Sequence, residues 1–249
     1  MTAAPLRLSV IVPVYREGEA ARETIAALAE RAPQPHEILV VHDEVNDPTV
    51  PVIDDLRRTY PQLRAVHNQL GRGPALALRA GFAAARGEAV LVTMADASDD
   101  LDDIARMLEK IEHEGYDLVA GSRYMRGGRQ LGGPPLKTFL SRNAGRSLHL
   151  LAGLPTSDPT SAFKMYRRAL LERLDLQSAE GFEISLEITV KSFLAGGRIG
   201  EVPTTWRDRE QGQSNFRLMK WLPHYLRWYR LALTRGFLRG RARAVRTAL

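Results

Sequence analysis

Leu8–Tyr15 reads LSVIVPVY, a nearly continuous apolar run. A strand with one wet face alternates polar and apolar residues, whereas a strand covered on both faces reads as an unbroken apolar stretch. The run therefore predicts a buried parallel strand with helices on both sides of its sheet. The residues that follow agree. Glu19–Arg31, rich in Ala and Glu with Ile25 and Leu28 on one face, reads as a helix, and Glu37–Val41 (EILVV) as a second buried strand. Asp54–Thr59 reads as a short helix, Ala65–His67 as a third strand, and Pro74–Arg86 as an Ala-rich helix with Pro74 suited to its first turn. Ala89–Thr93 is a fourth strand; Ser98 or Asp99 can cap the next helix, in which Leu101, Ile104, Leu108 and Ile111 keep the helical period. Asp117–Gly121 is a fifth strand. Strands alternating with helices predict an α/β fold with a mostly parallel sheet flanked by helices.

The second half is less regular. Gly127–Pro135 (GGRQLGGPP) reads as a mobile loop, Ser141–Leu151 and Glu183–Ala195 as helices, and Ser161–Tyr166 and Ile199–Trp206 as strands. The 249 residues, 44% hydrophobic and 26% charged, suit a globular protein and exclude a disordered or collagen-like one. Cysteine is absent, which excludes disulfides, thiolate metal sites and cysteine nucleophiles. No signal peptide and no spanning helix is expected. The net charge of +6 is uneven: residues 217–249 hold nine Lys/Arg and no acid, while the rest is slightly acidic. The chain divides on this basis into a body, 1–216, and a basic amphipathic helical tail, 217–249. Trp221, Tyr225, Trp228 and Tyr229 interleave there with Lys220, Arg227, Arg230 and Arg235. That pattern predicts attachment to an anionic membrane surface, with packing on the body as the alternative and no nucleic acid as partner.

Open α/β sheets bind ligands at the carboxyl ends of their strands. Four polar clusters fall there: Pro13–Glu17, His42–Asp47, Asp96–Asp100 and Ser122–Tyr124. Carboxylates so placed can hold a divalent cation and hydrogen-bond a base or sugar. Acids after strands also serve as helix caps, the reading favoured for Asp99, Asp100, Asp102 and Asp103.

The ordered stretches VPVYRE, VVHDEVNDPT, MADASDD, AGSRYMRGG, SDPTSAFKMYRR and GEVPTTWRDREQGQSNF resemble the family 2 glycosyltransferases of GT-A fold, over about Leu8 to Phe216. Within them the resemblance is to the dolichol-phosphate mannose synthase branch, which makes polyprenyl-phosphate sugars. It implies a GDP- or UDP-sugar donor held by Pro13, Tyr15, Glu17, Asp43 and Asp96, with Asp43 at the second acid of the family's V-D-D motif and His42 at the first. It implies Mg2+ or Mn2+ at Asp96 and Ser98, with Met94 where the D-x-D motif has its first acid. It implies an acceptor phosphate met by Arg123, Lys137, Ser141 and Arg209, and catalysis by Asp96, Arg123 and Arg209. The reaction so implied is inverting transfer of a hexose, mannose or glucose, to a polyprenyl phosphate by a peripheral protein on the cytoplasmic membrane face. A hydroxyl acceptor would need a general base, for which Asp158 is a position; a nucleotidyltransferase and a non-catalytic sugar-nucleotide-binding homologue are further alternatives. Glu187 matches a family Glu and is equally read as a structural hydrogen-bonder.

Overall fold

The run at 8–14 becomes the centre of the sheet, β1 (Leu8–Val14), every residue of it buried. The structure, a computed structural model, describes residues 5–208 and the backbone of 218–247, with side chains described at 221–236 of the latter stretch. A 3-10 turn (Gly18–Ala21) and α1 (Arg22–Arg31) lead to β2 (His36–His42), α2 (Thr49–Leu56), β3 (Leu63–His67), α3 (Pro74–Ala84) and β4 (Ala89–Val92). Then come α4 (Asp103–Glu112), β5 (Leu118–Ser122), β6 (Arg129–Leu131), α5 (Pro135–Ala152), β7 (Lys164–Arg167) and α6 (Arg168–Arg173). The chain continues through α7 (Glu183–Ala195), β8 (Ile199–Pro203), β9 (Thr205–Arg207) and α8 (Leu218–Thr247).

The large sheet has the order β3-β2-β1-β4-β7-β5-β8, and β6 pairs with β9 in a small second sheet. Within the large sheet β7 runs antiparallel to β4 and β5, and the other pairings are parallel. From β1 the chain steps outward through β2 to β3, then returns to β4 on the other side of β1. That reversal opens a crevice above β1 and β4, where α/β sheets take ligands. Alternate strand residues feed two cores. Val10, Val12 and Ile38 pack with α1 and α4 through Ile25, Leu28, Ile104 and Leu108. Ile11, Leu39 and Val41 pack on the other face with Leu78, Leu148, Ile184 and Trp228.

Several boundaries differ from the sequence expectation for local reasons. Helix α2 starts five residues early because the Asp47 carboxylate accepts the Thr49 amide at 2.8 Å and organises its first turn. The loop expected at 127–135 contains β6, whose partner β9 lies some seventy residues on and leaves no local signal. The last expected strand breaks at Thr204 into β8 and β9, and α5 begins at Pro135 rather than Ser141. Neither Ser98 nor Asp99 caps α4, which begins after Asp102.

Helix α8 packs along α5 and α7. Trp221, Tyr225, Trp228 and Ala232 recur at helical spacing on one side, and Trp228 and Ala232 are buried. The Trp228 indole donates to Ser178 Oγ at 3.1 Å, and the Tyr229 hydroxyl meets Ser147 Oγ at 2.8 Å. Trp221, Tyr225, Trp228 and Tyr229 are thus turned toward the body, while Arg227, Arg230 and Arg235 face outward.

Candidate functional site

The rim of the crevice is made by loops leaving β1, β2, β3 and β4. The two non-glycine residues with left-handed φ among the described residues, Arg16 (58°) and Ala97 (55°), both lie on it. Such conformations cost energy and persist where surrounding structure imposes them, commonly at functional sites. Pro13 is buried at the end of β1, Tyr15 is half exposed, and Glu17 stands before the 3-10 turn. The loop is tied down by Asp47, which accepts the Arg16 amide at 2.8 Å.

Asp43 leaves β2 into the same crevice. Its carboxylate accepts from Asn68 Nδ2 at 2.7 Å and from the Gly73 amide at 2.8 Å. Gly73 has φ of 120°, and a Cβ there would come within 2.8 Å of the Glu180 carbonyl, so only glycine fits. Asp43 therefore joins the loop after β2 to the N-terminus of α3. His42, at the place of the family's first acid, donates its Nδ1–H to the Glu44 carbonyl at 2.9 Å and stacks on His67 at 5.3 Å. It serves the strand ends rather than supplying a carboxylate.

After β4, Asp96 Oδ1 accepts the Ser98 amide at 3.2 Å through the left-handed turn at Ala97. Asp99 lies with them. It accepts from Thr93 Oγ1 at 2.9 Å and the Met94 amide at 3.3 Å, closing the strand end instead of capping a helix. Burial, and next in the same direction the Asp96 charge, push the Asp99 carboxyl up to about 7 against the Thr93 hydrogen bond. The Asp96 carboxylate and Ser98 hydroxyl are hard oxygen donors, as Mg2+ and Mn2+ require. Among the described residues no group of three or more His, Asp or Glu could by itself hold a metal. The donor set therefore fits a cation that completes its shell with substrate phosphate and water, the usual habit of Mg2+.

Across the crevice, Arg123 follows β5. Its Nε and Nη2 grip the Asp158 carboxylate at 2.7 and 2.8 Å, and its own amide adds a bond at 3.1 Å. The Asp158 side chain is 0% exposed and that of Arg123 12%. Burial alone would raise the Asp158 carboxyl, but the Arg123 charge and hydrogen bonds outweigh it and hold it below the carboxylate range. Burial would likewise lower Arg123, and Asp158 reverses that. The Arg123 guanidinium also lies 4.8 Å over the Tyr124 ring. Tyr124 in turn hydrogen-bonds Ser141 and donates to Gln130 at 3.0 Å. Arg123, Tyr124 and Ser141 thus form one connected wall, with Lys137 one turn before Ser141 on α5. Arg209 lies outside the described residues.

Glu187 is resolved as structural: it accepts the Gln177 and Ser178 amides at 2.7 and 2.8 Å and pairs with Lys191 at 2.6 Å. Sequence reading missed Asn68 and the buried Lys164 and Glu201 behind Arg123, and it took Asp99 for a helix cap. Asn68 carried a signal, the glycines at 71 and 73 that follow it before the helix-starting Pro74. Lys164 carried none, since a lone lysine in a strand reads as an edge or surface residue.

Comparison with known proteins matches this arrangement. The profile of glycosyl transferase family 2 matches residues 9–175. The polyprenol monophosphomannose synthase of Mycolicibacterium smegmatis is 34% identical over 84% of this chain and 80% of its own length. The undecaprenyl-phosphate mannosyltransferase of Micrococcus luteus is 32% identical over 84% of this chain and 87% of its own length. Among solved structures, glucosyl-3-phosphoglycerate synthase from Mycobacterium tuberculosis, in complex with Mn2+, UDP and glucosyl-3-phosphoglycerate, superposes with a TM-score of 0.66. It covers 93% of this chain and 80% of that one at 19% identity, a likeness of GT-A fold. With its crevice, its acid-lined rim and these relatives, the chain belongs to glycosyl transferase family 2 and is a glycosyltransferase.

Proposed function

We propose that the protein is an inverting transferase that moves a hexose from a GDP- or UDP-sugar to a polyprenyl phosphate at a membrane face. One observation carries the choice of acceptor: the buried Arg123–Asp158 pair. A hydroxyl acceptor needs a base within reach of its proton. Asp158, the position for that base, is fully buried, gripped by Arg123 and held at low pKa, so it is a poor proton acceptor. A phosphate monoester needs no base, since its oxygen is already anionic near neutral pH. It needs positive charge and fixed orientation. The names of the mannosyltransferase relatives support the same acceptor class.

In this reading the acceptor oxygen attacks the anomeric carbon from the face opposite the nucleoside diphosphate. One C–O bond forms as the other breaks, and the configuration inverts. Pro13, Tyr15, Glu17 and Asp43 line the nucleotide side. Asp96 and Ser98 would hold Mg2+ or Mn2+, which when bound offsets charge on the departing diphosphate. The Asp158 fork uses Nε and Nη2 of Arg123, which leaves its Nη1 donors for the acceptor phosphate. Lys137 and Ser141 complete that pocket, Arg209 is assigned to the same phosphate from its sequence motif, and together these residues counter the repulsion between the two anionic substrates.

The membrane side of the reading rests on α5. Leu136, Phe139, Leu150 and Leu151 on this helix are each more than 60% exposed, and Arg142 and Arg146 are exposed among them. An apolar strip edged by arginines suits the interface of an anionic bilayer, beside the wall that would meet the lipid's phosphate. No helix among the described residues is long and apolar enough to cross a membrane.

The test is incubation of purified protein with radiolabelled GDP- and UDP-sugars, a polyprenyl phosphate and Mg2+ or Mn2+, counting label in the organic phase. Label from one donor identifies the sugar and supports the reading. Donor binding with no organic-phase label, under every donor and metal, overturns it in favour of a hydroxyl acceptor or a non-catalytic role.

A further inference from the structure

Lys164 opens β7, the antiparallel strand set between β4 and β5, and its side chain is 0% exposed. A buried ammonium is expensive unless it is fully engaged. Here Nζ donates to the Pro159 carbonyl at 2.9 Å and to the Ser161 carbonyl. Those carbonyls belong to the turn that begins at Asp158, whose carboxylate holds Arg123. The same segment supports α5. A Cβ at Gly145 would lie 2.2 Å from the Ser157 carbonyl and 3.0 Å from Pro159 Cδ, so the helix rests directly on the turn. From β8, Glu201 holds its other end, accepting the Ser157 amide at 2.6 Å and Thr156 Oγ1 at 2.7 Å. Residues 156–161 are therefore the common footing of Arg123 on one side and of α5, with Lys137 and Ser141, on the other.

We propose that Lys164 is a positioning residue for the acceptor anion, its buried ammonium holding the 158–161 turn so that Arg123 and the α5 pair face a single phosphate. The inference rests on the acceptor reading given above. Its charge logic is simple. The groups that face Lys164 are Asp158, Arg123 and Glu201. With the lysine protonated, two positive and two negative charges balance. With it neutral, the cluster carries one net negative charge beneath the phosphate pocket and repels the anion. Burial pulls the Lys164 ammonium down to about 7 against the attraction of Asp158, with Arg123 adding to the depression. The balance therefore changes near neutral pH, and the acceptor and the Lys164 proton bind with positive coupling. Coupling of this kind is reciprocal.

The test uses the whole 249-residue chain. It contains five lysines, which makes a lysine 13Cε NMR titration tractable. Titrated with and without a saturating short-chain polyprenyl phosphate, the Lys164 midpoint should rise on binding; an unmoved midpoint overturns the inference without need of any variant. In transfer assays Lys164→Gln should raise the acceptor KM about tenfold below pH 7, leave the donor KM within about twofold, and reduce the difference between pH 6 and pH 8 to what the phosphate and Asp99, which also changes charge near 7 within reach of Arg123, contribute. Donor and acceptor KM rising together would mark a merely structural lysine and overturn it. An Arg123→Ala control separates the two levels. If that control leaves the acceptor KM unchanged, the acceptor reading fails and this inference with it. If it raises the acceptor KM while Lys164→Gln does not, only the role of Lys164 fails.

Discussion

The two sides of the crevice hold their charges differently. On the β1–β4 side, Asp43, Asp47 and Asp96 sit on the rim and are held mainly by loop amides: Gly73 for Asp43, Arg16 and Thr49 for Asp47, Ser98 for Asp96. On the β5–β8 side, Arg123, Asp158 and Lys164 lie in the interior and hold one another or backbone carbonyls. The first arrangement orients a carboxylate cheaply and leaves Asp43 and Asp96 partly exposed toward a ligand, while the buried Asp47 holds the loop. The second builds a rigid charged floor, because each member depends on its neighbours in a medium of low dielectric. Deleting a rim acid should therefore remove function and spare the fold. Deleting a floor residue should damage both.

Asp96→Ala sets the upper limit of the first kind. Transfer should fall by at least about 10²–10³-fold, the cost of removing a group aimed at developing charge, while the melting temperature stays within about 2 °C of the parent. Activity near the parent value would remove Asp96 from the site. Asp158→Ala is the opposite case. It leaves Arg123 as an unpaired charge in the interior, and removing one partner of a buried pair costs about 3–5 kcal/mol. Denaturant unfolding reads this directly. The double variant Arg123→Met with Asp158→Leu should regain most of that stability and still lack transfer, since an apolar pair of similar volume tolerates burial. The pH dependence has a definite sign. The Asp158 carboxyl is lowered in the folded state, so its contribution is full above the unfolded value of about 4 and is lost as pH falls through the lowered one. Acid unfolding of the parent that shows no carboxylate of this kind, when set against the double variant, would break the contrast between the two sides.

Asp43→Ala tests the rim more gently. The Asn68 amide and the Gly73 N–H lose their acceptor, at a cost of about 1–2 kcal/mol shared between stability and donor binding. A rise of about tenfold in donor KM with kcat little changed is the expected signature. An equal loss in kcat would place Asp43 nearer the reacting atoms than the nucleoside side.

How far each side could be read beforehand follows the same physics. The β1–β4 half was legible because its strands are unbroken apolar runs and its acids stand directly after them, so local pattern and function coincide. Its departures were legible too: Met94 and His42 stand where acids are expected, and the structure shows His42 in a strand-end stack instead. The β5–β8 half was legible only in outline. Its antiparallel β7, the pairing of β6 with β9, and the meeting of Arg123 with Asp158 join residues far apart in sequence, and nothing local announces them. Asp99 was read as a cap because acids favour first turns; the Met94 N–H and the Thr93 hydroxyl at the end of β4 claimed it instead. The aromatic spacing of the tail was visible, but not which surface it would cover.

That last point gives the smallest and most easily sharpened prediction. If the proposed membrane attachment holds, two helices compete for the membrane-facing role. Helix α8 buries its aromatic side against Ser147, Ser178 and Phe182 and turns arginines outward, whereas α5 turns Phe139 and Leu150 outward at 64% and 67% exposure. Long-range attraction to anionic lipid comes from arginines on either helix, but insertion needs apolar surface, which α5 supplies. Phe139→Ser or Leu150→Ser should weaken binding to phosphatidylglycerol vesicles by about 1 kcal/mol each, roughly fivefold, because only part of each side chain would enter the interface. Transfer to a water-soluble short-chain polyprenyl phosphate should be unchanged, as neither residue belongs to the pocket wall. Arg230→Gln should weaken vesicle binding by a comparable amount at low salt and by little at high salt, as a screened surface charge does. If the α5 variants bind vesicles as the parent does while Arg230→Gln does not, attachment is electrostatic and belongs to α8. The lipid chain would then approach Arg123 from the tail side, past Tyr225, whose hydroxyl already lies within electrostatic reach of Arg123 and Glu183.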